Sequence, residues 1–101
     1  MRYGLTDESI NEIHTALQRV PSVLQAILYG SRAKGNFTEG SDIDLAIKGN
    51  LSFDDLSKVS AMLDDSNLPY TFDLSIYNNI NNEALLDHID RVGIVFYQKR
   101  E

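Results

Sequence analysis

The stretch Leu28-Tyr29-Gly30-Ser31-Arg32-Ala33-Lys34-Gly35, continued through residues 36–40 to Ser41-Asp42-Ile43-Asp44-Leu45-Ala46-Ile47, decides how the whole sequence is read. Its first part closes an apolar run, residues 23–29, in which Gln25 is the exception. Such a run suits a strand covered on both faces. Gly30 and Ser31 stop it. Arg32, Ala33 and Lys34 have the length of one helical turn, and residues 35–40, with Asn36, Thr38 and Glu39 between two glycines, read as a surface loop. The second part alternates: Ile43, Leu45 and Ile47 share one face of a strand, and Asp42, Asp44 and Ala46 share the other.

Working outward, Thr6 can cap a helix whose first turn carries Asp7 and Glu8. Leu5 and Ile10 have the spacing of a hydrophobic staple. Ile10, Ile13, Leu17 and Val20 follow at helical spacing until Pro21 stops them. His14 falls off that stripe and reads as solvated. Downstream, Ser52 and Asp55 have capping-box spacing ahead of a second stripe, Phe53, Leu56, Val59 and Leu63. Residues 69–77 alternate as a third strand, with Tyr70, Phe72, Leu74 and Ile76 on one face and Thr71, Asp73, Ser75 and Tyr77 on the other. A last helix is expected over residues 82–92, with Leu85, Ile89 and Val92 inward and Gly93 as its C-terminal cap. His88 and Arg91 suit the negative end of that helix. Residues 94–97 read as a short final strand, and Tyr97, like Tyr77, reads as surface.

This order describes a small α/β (α+β) domain. The two aspartate-bearing strands each have one apolar face, so helices are expected on that face, leaving the carboxylates on an open one. At 101 residues the chain is one domain, residues 1–101. There is no cysteine, so no thiolate metal site or disulfide is available. No apolar run approaches the ~20 residues that span a bilayer, and the first residues lack the apolar core of a signal peptide. A soluble cytoplasmic protein without membrane attachment is expected. The net charge is -6, and a nucleic-acid backbone calls for a basic patch. Direct nucleic-acid binding is therefore not expected.

Residues i and i+2 of a strand lie ~6.5–7 Å apart on one face, so the carboxylates of Asp42 and Asp44 can converge on a cation between them. Asp73, on the polar face of a neighbouring strand, could supply a third. Three carboxylates raise one another's pKa unless a cation neutralises them. Hard oxygen donors, few in number, suit Mg²⁺ or Mn²⁺, and two such ions can clamp the attacking and leaving oxygens of a phosphoryl-type transfer. Gly30 lets a phosphate approach the main chain. Ser31 adds a donor, and Arg32 and Lys34 can add charge.

Gly30-Ser31, ten residues, then Asp42-Ile43-Asp44 resembles the signature of the polymerase-β-like nucleotidyltransferase superfamily. More narrowly it is similar to the minimal nucleotidyltransferases, the antitoxins paired with small all-helical HEPN toxins. The resemblance implies the nucleotidyltransferase fold, a small mixed sheet with helices on one face. It implies that Asp42, Asp44 and Asp73 are catalytic and bind metal, two Mg²⁺ ions with Mn²⁺ an alternative. Gly30 and Ser31, with Arg32 and Lys34, would hold the triphosphate of ATP. It further implies transfer of AMP to a hydroxyl, that of a tyrosine on the HEPN toxin, within a hetero-oligomer. The alternative is an antitoxin that neutralises its partner by binding alone.

Overall fold

The computed structural model describes residues 1–100; Glu101 lies outside the described residues. The elements run α1 (Asp7–Gln18), β1 (Val23–Tyr29), α2 (Ser31–Lys34), β2 (Ile43–Gly49), α3 (Phe53–Asp65), β3 (Phe72–Ile76), a 3₁₀ turn (Tyr77–Asn79), α4 (Glu83–Val92) and β4 (Ile94–Gln98). The caps behave as their chemistry requires. Thr6 Oγ1 accepts the Ser9 N–H at 3.1 Å. Ser52 and Asp55 exchange side-chain and backbone hydrogen bonds at 3.1 and 3.2 Å.

The four strands form one sheet in the order β3-β2-β1-β4. β1 pairs antiparallel with both β2 and β4, while β2 pairs parallel with β3, so the sheet is mixed. One face carries Ala26, Leu28, Ile43, Leu45 and Ile47 into a core built with Ile10, Ile13 and Leu17 of α1 and Val59 and Leu63 of α3. No helix among the described residues is long and apolar enough to cross a membrane.

The second face differs from expectation. It is not left open along its whole width, because α4 packs across it. Ile89, with Leu85 and Val92 partly buried, lies against Ile27, Tyr29 and Ala46. Helices therefore flank both faces, which accounts for the apolar alternate positions of β1. Gly93 is the C-terminal cap of α4, as expected, but in an extended rather than a left-handed conformation, with φ -63°. It is a glycine because a Cβ there would overlap the Ile89 carbonyl and lie 2.6 Å from Ile27 Cγ2; the chain leaves α4 pressed against the sheet.

Three side chains also depart from the sequence pattern. Phe53 stays 77% exposed, since it sits in the first turn of α3, beside the sheet's edge strand β3, where no further element covers it. His14 is not solvated; Nε2 donates to the Phe96 carbonyl at 2.7 Å and the ring meets Phe96 edge-on. Tyr97 is buried on the core face rather than exposed, because α1 covers β4 as well as β1 and β2.

Candidate active site

β2 lies between β1 and β3, and the two registers draw a row across the second face. Tyr29 stands opposite Asp44 in the antiparallel ladder, and Asp44 stands opposite Asp73 in the parallel one. The next row is Ile27, Ala46 and Ser75. Asp42 precedes β2 on the same side by the strand's alternation and is exposed, as is Asp73, whereas Asp44 is half-buried. The three aspartates are thus brought to one face by β2 and its parallel neighbour.

The turn after β1 folds directly onto this row. Gly30 has φ 74°, ψ -155°, a conformation that side-chain-bearing residues avoid. A Cβ at Gly30 would overlap Asp44 Oδ2. The turn and the acidic strand lie too close for a side chain between them, so glycine is required both by dihedral angle and by space. Ser31 opens α2 and is half-buried; Lys34 closes it, exposed and without an ion pair among the described residues.

Arg32 corrects the sequence reading. Its side chain is 2% exposed and turned into the protein rather than presented to a phosphate. Nη1 donates to the Tyr3 carbonyl at 2.8 Å, and Nε and Nη2 donate to the Ser41 carbonyl at 3.1 and 2.9 Å. The guanidinium also lies over the rings of Phe37 and Tyr70, 5.5 and 5.1 Å from their centroids. The planar fork suits this use, matching several carbonyls at once while stacking on aromatic faces. Arg32 thereby ties the N-terminal turn and the loop after α2 to the residue that immediately precedes Asp42.

The electrostatics follow from the row. Burial pushes the Asp44 carboxyl above the ordinary carboxylate range, and the charges of Asp73 and then Asp42 add to the rise; only a positive charge on His88 would oppose it. Burial also pushes the Tyr29 phenol up, opposed by hydrogen bonding toward Ser75, with Asp73 and Asp44 again raising it. Among the described residues no three acidic or histidine side chains already close around a single point as a metal cage. The donor set nonetheless fits a hard divalent cation: three carboxylates on one face, two in direct register, each opposing the ionisation of Asp44 or adding to its charge.

His88 is the residue that sequence reasoning missed. Its Nε2 accepts the Gly30 N–H at 3.1 Å, and its ring meets that of Tyr29 edge-on with centroids 6.0 Å apart. It does not serve the C-terminal end of α4; that turn has Arg91, paired with Asp87 at 2.8 Å. A usable signal was present, since His88 follows Leu85 by three positions and precedes Val92 by four, placing it on the inward stripe of α4.

Comparison with known proteins agrees with this fold. No curated protein matches the chain in sequence. Among solved structures, the chain is similar to a mutant MntA–HpeT toxin–antitoxin, at 20% identity and TM-score 0.71, over 90% of this chain and 74% of that one. It is similar to a toxin–antitoxin with AMP-PNP, at 21% identity and TM-score 0.66, over 90% of this chain and 74% of that one. It is also similar to a chain in a tri-AMPylated Shewanella oneidensis HEPN toxin complex with MNT antitoxin, at 19% identity and TM-score 0.62, over 94% of this chain and 74% of that one. At these identities the likeness is one of fold. The family model described as Polymerase beta, Nucleotidyltransferase matches residues 11–101. With the Gly-Ser turn seated on a register-paired acidic strand, the chain belongs to the polymerase β nucleotidyltransferase family.

Proposed function

We propose that this domain moves AMP from ATP to a hydroxyl, that of a tyrosine on a helical HEPN-type toxin, and acts in the cytoplasm as the antitoxin of a hetero-oligomeric pair. The observation that carries the reading is the seating of Gly30 on Asp44 with Asp73 in register beside it. A turn that can admit phosphate and carboxylates that can hold its counter-ions form one construction. The family membership and the fold shared with toxin–antitoxin structures, one bearing AMP-PNP and one an AMPylated HEPN toxin, support it.

In this reading the acceptor hydroxyl oxygen forms a bond to the α-phosphorus of ATP. The bond from that phosphorus to the bridging oxygen breaks, pyrophosphate leaves, and Asp73 takes the hydroxyl proton. Gly30 and Ser31 hold the triphosphate, and exposed Lys34 adds positive charge near the turn. Arg32 contributes through the loop it fixes. Asp42, Asp44 and Asp73 would hold two Mg²⁺ ions, or Mn²⁺, which would supply neutralisation of the developing phosphate charge.

Incubation with labelled ATP, Mg²⁺ and the toxin tests this. Wild type should transfer label covalently to the toxin, and Asp44→Ala should not, with an unchanged circular dichroism spectrum. If both neutralise the toxin equally and neither transfers label, the domain acts by binding alone.

A further inference from the structure

We infer that His88 is a positioning residue for the nucleotide: α4 reaches over the sheet and, through the His88 imidazole, fixes the Gly-Ser turn at the height above Asp44 at which a phosphate can be received. For its consequence on ATP this rests on the nucleotidyltransferase reading; the contact itself does not.

Gly30 follows the last residue of β1, so its N–H has left the ladder, and its dihedral angles are those of neither strand nor helix. Without an acceptor this amide would face the second layer unpaired, at a cost that a turn of this kind cannot offset locally. The acceptor is supplied from a residue 58 positions away, His88 Nε2, at 3.1 Å. That contact defines the imidazole. A nitrogen that accepts an N–H carries a lone pair, so His88 is neutral with its proton on Nδ1. A charged His88 would favour the Asp44 carboxylate but would lose Gly30; the hydrogen bond selects the neutral ring.

The rest of α4 shows why the imidazole is held there. Ile89, Leu85 and Val92 fasten the helix to Ile27, Tyr29 and Ala46. The His88 ring stands at 81° to the Tyr29 ring. Tyr77, just after β3, donates to Asp90 of α4 at 2.9 Å, so the helix is braced from the β3 side as well. A ring so fixed sets the position of Gly30, which lies so close over Asp44 that a Cβ there would overlap Oδ2. The helix therefore governs the spacing between the phosphate turn and the acidic strand without a side chain of its own entering the row.

The experiment uses the full chain. In long-range ¹H–¹⁵N spectra at neutral pH, His88 should show a protonated Nδ1 and a bare Nε2, and the Gly30 amide should exchange faster in His88→Ala than in wild type. His88→Ala should weaken Mg²⁺–ATP binding about three- to tenfold, the worth of one such hydrogen bond. His88→Gln, whose amide oxygen can accept the same N–H, should recover most of it although the aromatic contact with Tyr29 is gone. A proton on Nε2, unchanged ATP affinity in His88→Ala, or equal losses in the Ala and Gln variants would overturn the inference. Failure of wild type to bind ATP would defeat the functional reading, and with it the nucleotide role of His88, whereas the tautomer and exchange measurements would still decide the contact.

Discussion

Asp44 and Asp73 face each other across the parallel ladder of β2 and β3, with their side chains on one face of the sheet. Burial first, and the facing Asp73 charge second, push the Asp44 carboxyl above its ordinary range. The fold thus accepts an unfavourable contact at the one place where a bound cation would reverse its sign.

The first prediction concerns this contact. The folded state holds the Asp44 proton more tightly than the unfolded chain does. Its contribution to stability is therefore full below the unfolded value, about 3.9, and is lost as pH rises through the raised folded value. Asp44→Asn removes that loss. In EDTA at pH 7 the variant should melt roughly 2–4 °C above wild type, with the gap closing toward acid pH, while transfer is abolished. Thermal melts at a series of pH values check this.

Asp73 is exposed on the edge strand and, in the proposed reaction, takes the acceptor's proton. Asp73→Asn should lower kcat by at least about 100-fold while leaving the Kd for Mg²⁺–ATP within about threefold. Isothermal titration beside single-turnover transfer separates the two, and equal losses would remove Asp73 from the proton-accepting role.

Arg32 should behave as a structural residue rather than a phosphate ligand. Arg32→Met leaves the Tyr3 and Ser41 carbonyls without their donor, which should cost about 3 kcal/mol or more. Urea unfolding without nucleotide shows this directly. Arg32→Lys retains the charge but not the fork and should recover only part of it.

Gly30→Ala meets both a left-handed dihedral angle and the Asp44 carboxylate. It should destabilise the domain by about 1–3 kcal/mol and weaken ATP binding. Repeating the substitution in an Asp44→Ala background, which removes the overlapping carboxylate, should return part of the stability; denaturation of the four proteins of this cycle measures the coupling.

A control lies far from the row. Ser52→Ala breaks the cap of α3 and should cost about 1 kcal/mol with transfer unaffected. The Asp55 carboxyl is held below its ordinary range by the Ser52 backbone N–H and the Ser22 hydroxyl. Its stabilisation is present above the unfolded value and lost as pH falls through the folded one, so the cost of Asp55→Asn should shrink in acid.

What the sequence made legible was local. Caps at Thr6 and Ser52, the period-two strands at 43–47 and 72–76, and the acidic face they share depend on neighbours along the chain. Because that period is two, Asp42, Asp44 and Asp73 could be assigned to one face before any pairing was known. What was hidden depended on partners distant in sequence. Nothing near Arg32 announced that the separated Tyr3 and Ser41 carbonyls would gather around it. His88 lies on the inward stripe of α4, but its partner Gly30 is 58 positions away and nothing local points to it. The apolar run at residues 23–29 shows that β1 is buried on both faces, but the helix that covers its second face, α4, lies more than fifty residues downstream.

The sheet order has one more consequence. β1 has ladder neighbours on both sides and packed layers on both faces, whereas β3 is joined to the sheet through β2 alone. Amide exchange should therefore be slowest along β1 and faster along β3. An opening confined to β3 would carry Asp73 away while Gly30 and Asp44 keep their contact. Such a molecule would still be folded and still hold its turn over the acidic strand, yet be catalytically silent. In the proposed reaction the chemistry depends on a residue of an edge strand, so inactivation on heating should precede the loss of helical signal.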